Sequence, residues 1–145
     1  MARIKLELPQ QIIASFRIPV RITDINYGNH LGNDSLVGII HEARMQFLQN
    51  YGFTEMNVMN TSLIMNELVV TFKNEAFYKE FLEVDIFVGE IARVGFELYY
   101  SLSAVRQQKP ILIALAKTGL VCFNYSEKKV ESIPEELKSI LLIKK

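Results

Sequence analysis

Between residues 36 and 51 the chain carries an apolar stripe at helical spacing, and no other feature constrains the fold as strongly. Leu36, Ile39, Ile40, Ala43, Phe47 and Tyr51 recur every three or four positions, flanked by Val37 and Leu48. Residues so spaced share one side of an α-helix, and that side has to be covered by something apolar. The pattern predicts a helix over residues 35–51. Asn33, Asp34 or Ser35 can cap its start through a side-chain oxygen, and Gly52 stands where a left-handed residue closes a helix.

The cover has to come from the strand-like runs around it. Residues 16–22 alternate apolar and polar, with Pro19 marking an edge or irregular strand. Four more runs follow the helix, at 63–72, 82–91, 96–105 and 111–123. The last is so apolar that it reads as a strand covered on both faces. Arg93-Val94-Gly95 and Gln107-Gln108-Lys109-Pro110 are expected to be turns, and Ser132 or Ile133 ahead of Pro134 begins a short helix. Short links between the last four strands favour antiparallel neighbours. The fold class expected is therefore α+β, a curved antiparallel sheet wrapped around a long central helix. Without repeats or a Pro/Gly/Ser-rich linker, residues 1–145 are expected to form one domain.

Charge and cysteine content narrow the function. Lys and Arg number 16, as do Asp and Glu, so no net charge draws the chain to nucleic acid or to an anionic membrane. One cysteine, Cys122, cannot close an intramolecular disulfide, which suits a reducing compartment. No signal-peptide core and no apolar run of the roughly 20 residues needed to span a bilayer is visible. A cytoplasmic location is expected. The two histidines, His30 and His41, have no metal-ligand spacing, so no metal is expected.

The chemistry is concentrated in the loop before the helix, Asp24-Ile25-Asn26-Tyr27-Gly28-Asn29-His30-Leu31-Gly32-Asn33, and in Glu42-Ala43-Arg44 on the helix itself. Loop, helix offset and strand order together resemble the hotdog-fold thioesterases of the 4-hydroxybenzoyl-CoA type. That family carries a loop of the form D-x-D-x-x-G-H-V-N-N and often E-A-R on the helix. The match departs from the pattern at Asn26, where many members have their catalytic carboxylate, at Asn29 before the histidine, and at Gly32 in the final pair.

The resemblance implies hydrolysis of an acyl-CoA or aryl-CoA thioester. A carboxylate supplies the base or nucleophile, and amides at the start of the helix receive the oxyanion. Asp24 and Glu42 are the two carboxylates available for the first task. Asp24 is equally well read as a turn residue, and Glu42 as a partner of Arg44 or of a second subunit. Asn26 can orient water or donate to an oxyanion, or simply shape the turn. His30 matches the family histidine and can polarise the carbonyl or pin the loop. Tyr27, Gly28, Leu31, Gly32 and Asn33 are expected to contact substrate, the glycines by letting backbone approach it closely. Asn66 and Glu67 read as a solvent-facing pair more than as a pocket wall. The aromatics Phe77, Tyr78, Phe81, Tyr99 and Tyr100 are expected mostly in core or subunit contacts. Lys73, Lys79, Arg93 and Arg106 are the basic residues open to coenzyme A phosphates. No cofactor is expected beyond the coenzyme A of the substrate. Members of the family pair edge to edge, which implies a homodimer or homotetramer. Two other activities fit the same fold: non-catalytic acyl-thioester binding, and hydration or dehydration of an acyl thioester.

Overall fold

The computed structural model describes residues 4–143. In chain order they form β1 (Ile12–Pro19), a 3-10 turn (Ile22–Asp24), α1 (Asn33–Gln49), β2 (Ser62–Phe72), β3 (Phe81–Ile91), β4 (Gly95–Arg106), β5 (Lys109–Asn124), β6 (Lys129–Val130) and α2 (Glu135–Leu141). The strands make one six-stranded sheet in the order β1-β3-β4-β5-β2, with β6 added on β5. Every pairing is antiparallel.

The apolar stripe becomes the buried side of α1. Leu36, Ile39, Ile40, Ala43, Phe47 and Leu48 are buried there. They share one core with inward-facing Val84 and Ile86 of β3, Leu98 and Leu102 of β4, and Ala116 and Leu120 of β5. Each large side chain so covered contributes about 1.5–3 kcal/mol. α1 begins at Asn33, ahead of the expected start, because extended Gly32 takes the cap position without a side-chain cap. At the other end, Gly52 adopts φ +77°. The amides of Phe53 and Gly52 donate to the carbonyls of Leu48 and Gln49, both at 3.0 Å. This paired bonding is a Schellman closure, which ends the helix before Tyr51. Tyr51 therefore leaves the stripe and meets Phe47 edge-on, ring centres 5.7 Å apart.

Three expectations about the sheet need correction. β1 starts at Ile12, well before residue 16, because a bulge between Ile12 and Ala14 breaks the alternation and buries Ile13 and Ala14 together. β5 is flanked by β4 and β2 but is not covered on both faces: Leu115, Val121 and Phe123 on its outer side stay half-buried. Finally, β2 and β3 are not neighbours, since β2 pairs with β5 and β3 with β4. The link between them crosses the end of the β4–β5 hairpin, whose turn holds Gln107 and Gln108 at φ 52° and 67°. In the second short helix, Pro134 is itself the cap.

That crossing segment is clamped. Arg106 donates from Nε to Glu80 Oε2 and from Nη2 to Glu80 Oε1, both at 2.8 Å, and also to the Glu75 carbonyl. The Arg106 bonds hold the Glu80 carboxyl below its ordinary value of 4.5. An unfolded Glu80 binds its proton first, so the clamp stabilises fully above that value and is lost as pH falls from it through the lower value of the folded state. Urea midpoints followed from pH 7 to pH 3 are expected to fall less steeply in Glu80→Gln than in the wild type. Equal slopes would remove the clamp from the acid limb.

Arg93 is also occupied structurally. Its Nη1 donates to Ser132 Oγ at 3.2 Å, and its carbonyl accepts from Ile133 at 2.9 Å. Cys122 is buried in β5, and burial pushes its thiol up to about 11, which keeps it protonated and unreactive near neutrality.

Candidate active site

The loop from Asp24 to Gly32 folds back on itself to deliver the chain into α1. Asn26 donates its N–H to the His30 carbonyl at 2.9 Å, and Asn29 donates to the Asn26 carbonyl at 3.1 Å from φ 64°. The Asn26 side chain accepts from the Gly28 N–H at 2.8 Å. Its amide oxygen is thereby spent on the turn. Leu31 is buried, and its N–H clips the loop to Ala76 O at 2.8 Å. The Gly32 N–H donates to the Asp24 carbonyl at 2.9 Å, which locks the 3-10 turn against the start of α1. The first-turn amides of α1 have no partner within the helix, and its dipole favours an anion there.

Asp24 is buried, with 5% exposure, yet it lines a cleft. Arg21 grips it with three bonds. The Arg21 N–H and Nε donate to Oδ2 at 2.8 and 3.3 Å, and Nη2 donates to Oδ1 at 3.2 Å. This pairing raises the Arg21 guanidinium above its ordinary value, with a smaller push from Glu42.

The cleft, about 490 Å³, runs along one side of α1 between Ile18, Pro19 and Arg21 and the helix residues Ser35, Gly38, Ile39, Glu42 and Gln46. It brings Asp24 and Glu42 into one cavity. Glu42 does not pair with Arg44; it accepts from Gln46 Nε2 at 3.0 Å. The two acids are not equivalent. From Asn33 to Glu42 is about 14 Å of helix axis at roughly 1.5 Å per residue. Asp24 is bonded to the N-cap, whereas Glu42 lies more than two turns down the cleft.

His30 faces elsewhere. It lines a second cleft of about 210 Å³ with Asn33, Phe72, Lys73 and Glu75. Its Nδ1 lies 3.2 Å from the Leu31 carbonyl, which can only accept, so the proton sits on Nδ1. Nε2 is 4.0 Å from Glu75 Oε1. Gly28 packs under this ring: a Cβ there would lie 3.0 Å from Nε2. The start of α1 therefore separates the carboxylate cleft from the histidine cleft. Tyr27 is fully exposed and lines neither cleft. Of the basic residues, Lys73 lines the histidine cleft, and Lys79 lies over the Tyr78 ring beside an apolar depression with Ile22 and Phe81. Asn66 and Glu67 are exposed on β2, where Glu67 meets Lys117 at 2.7 Å.

Three residues take places here that the sequence reading did not assign to them. Arg21 holds the acid, and its only signal was a basic residue three places before Asp24. Asp34 lies over Gly32, where a Cβ would meet its Oδ1 at 2.8 Å. Arg44 is buried at 5% exposure and donates to Glu55 at 2.7 Å and Tyr100 Oη at 3.3 Å. Tyr100 in turn meets Thr118 at 2.7 Å, and Glu55 meets His41 at 2.6 Å. Among the described residues no group of three or more His, Cys, Asp or Glu side chains is placed to hold a metal ion. No helix among them is long and apolar enough to cross a membrane.

No curated protein matches the chain in sequence. Solved structures do match in fold. Slr0204, a 1,4-dihydroxy-2-naphthoyl-CoA thioesterase from Synechocystis, superposes with a TM-score of 0.78 at 18% identity, over 88% of this chain and 93% of that one. A 4-hydroxybenzoyl CoA thioesterase mutant complexed with 4-hydroxybenzoyl CoA gives 0.79 at 14% identity, over 88% and 97%. The DHNA-CoA thioesterase from Staphylococcus aureus gives 0.76 at 17%, over 88% and 87%. Likeness at these identities carries the hotdog architecture. The sequence itself goes further, because residues 20–141 match the profile of the thioesterase-like superfamily. The chain belongs to the thioesterase-like superfamily.

Proposed function

We propose that this protein hydrolyses an acyl-CoA or aryl-CoA thioester, with Asp24 as the base. One observation supports the assignment: Asp24, whose backbone carbonyl accepts from the Gly32 N–H, lines the same cleft as Ser35 in the first turn of α1. A thioester oxygen resting on the first-turn amides would have its carbonyl carbon within reach of a water held by Asp24. Glu42 lies too far down the helix to serve its own α1 in this way. Arg21 engages both Asp24 oxygens, which favours activation of water over direct attack by the acid. Water adds to the carbonyl carbon as Asp24 takes its proton. The oxyanion is held by the amides, then collapses; the carbon–sulfur bond breaks, and the departing thiolate takes the proton back from Asp24 to leave as the thiol.

A second reading is non-catalytic thioester binding. It is favoured by the near-complete burial of Asp24 and its three bonds from Arg21. Thiol release from a panel of acetyl-, butyryl-, octanoyl- and benzoyl-CoA separates the two. Turnover of at least one is expected; binding of several with release from none would support the second reading. Assembly as a homodimer is supported by the free edge of β2, where Met65, Leu68 and Phe72 are exposed.

A further inference from the structure

The cleft beside α1 contains a glycine that the fold itself does not require. Gly38 sits in the middle of α1, where glycine is the poorest residue after proline, about fivefold worse than alanine in helix equilibrium. Glycine is usually kept in a helix for a close approach or for positive φ. Neither applies. A Cβ built on Gly38 meets no heavy atom within 4 Å, and its φ is not positive. What Gly38 does is line the roughly 490 Å³ cleft, between the Asp24–Arg21 pair at one end and Glu42 at the other.

We propose that Gly38 is a specificity-determining residue, left bare so that the acyl group of the substrate can lie along α1 from the thioester carbonyl toward Glu42. The proposal rests on the hydrolase reading. The geometry gives the acyl group an apolar wall in Ile18, Pro19 and Ile39 and a floor of exposed helix backbone at Gly38. Any side chain at 38 would project into that space and shorten it. The cleft ends at the Glu42–Gln46 hydrogen bond, which sets the far limit for an apolar chain. Loss of fit by one methylene is worth about 10- to 200-fold in discrimination, so a leucine here should be decisive.

The test compares wild type, Gly38→Ala and Gly38→Leu. For each, kcat/KM is measured on acetyl-, butyryl-, octanoyl- and benzoyl-CoA, together with the thermal midpoint and the oligomeric state by sedimentation. Gly38→Ala is expected to raise the midpoint by about 2–4 °C. The ratio of kcat/KM for the largest substrate accepted by the wild type to that for acetyl-CoA is expected to fall severalfold in Gly38→Ala. In Gly38→Leu it should fall by about 30-fold or more. A ratio unchanged in Gly38→Leu overturns the proposal and leaves the hydrolase reading standing. A change in assembly with the ratio unchanged does the same, by assigning Gly38 to a subunit contact. A wild type that releases thiol from no substrate removes the hydrolase reading and this proposal with it.

Discussion

Asp24→Asn is expected to lower kcat for thioester hydrolysis by about 10²- to 10⁴-fold, the range for losing a positioned general base, while substrate still binds. Asn preserves the shape of the side chain, and its oxygen can still accept the Arg21 N–H that now lies 2.8 Å from Oδ2. The fold should therefore survive, and a near-native thermal midpoint in the same sample would show that activity is lost through chemistry. The other acids near the helix provide the contrast. Asp34 is exposed and lines neither cleft, so Asp34→Asn is expected to stay within about threefold of wild type, well inside the spread of one general-base contribution. Glu42→Gln is expected to act mainly through KM for larger acyl groups. A full loss in Glu42→Gln with Asp24→Asn active would move the base down the helix, or across to a partner's α1.

The second large effect concerns stability. Arg44→Met is expected to destabilise the fold by about 2–3 kcal/mol, the range for breaking a buried ion pair after discounting the partly exposed partner. In a chain of this length that lowers the thermal midpoint by about 5–10 °C. Arg44 is 5% exposed, and its side chain joins α1 to Glu55 after the helix and to Tyr100 on β4. Burial pulls the guanidinium down, but Tyr100 and Glu55 outweigh it and keep it charged. Burial likewise raises the Tyr100 hydroxyl against the pull of Arg44, so it stays protonated and bonded to Thr118. Tyr100→Phe removes both hydroxyl bonds, to Arg44 and to Thr118, and should cost about 2 kcal/mol. Chemical denaturation of Arg44→Met, Glu55→Gln and the double variant checks the network. Strictly additive losses would show that Arg44 acts by packing alone.

The sequence made α1 legible because its signal is local. Periodicity placed the buried side, and Gly52 marked the closure through its left-handed conformation. The start was misplaced slightly, since capping side chains were available at Asn33, Asp34 and Ser35 but the backbone of Gly32 took the position. Strand order was not legible. The link from β2 to β3 is short enough to suggest a hairpin, and only the pairing of β2 with β5 shows that it crosses two strands. Arg44 left a trace that periodicity carries: it lies four residues after Ile40 and three before Phe47, inside the apolar stripe. Its partner Tyr100, and Thr118 bonded to Tyr100, occupy inward positions of β4 and β5, but only tertiary structure brings them together.

The site was half legible in the same sense. The loop and the helix start were recognisable as a unit, and Asp24 and Glu42 were both visible as acids. Their ranking depends on a distance along α1 and on the Gly32–Asp24 bond, neither of which residue types encode. His30 is read from the sequence as polarising the carbonyl or pinning the loop; its ring turns to the Leu31 carbonyl and lines the second cleft.

The central claim is tested most directly by a crystal structure of the protein with a non-hydrolysable acyl-CoA ketone analogue. The analogue's carbonyl oxygen is expected about 3 Å from a first-turn amide of α1, with an Asp24 oxygen or a water bonded to it facing the carbonyl carbon. A carbonyl seated away from those amides, or one faced by Glu42 with Asp24 turned aside, would contradict it.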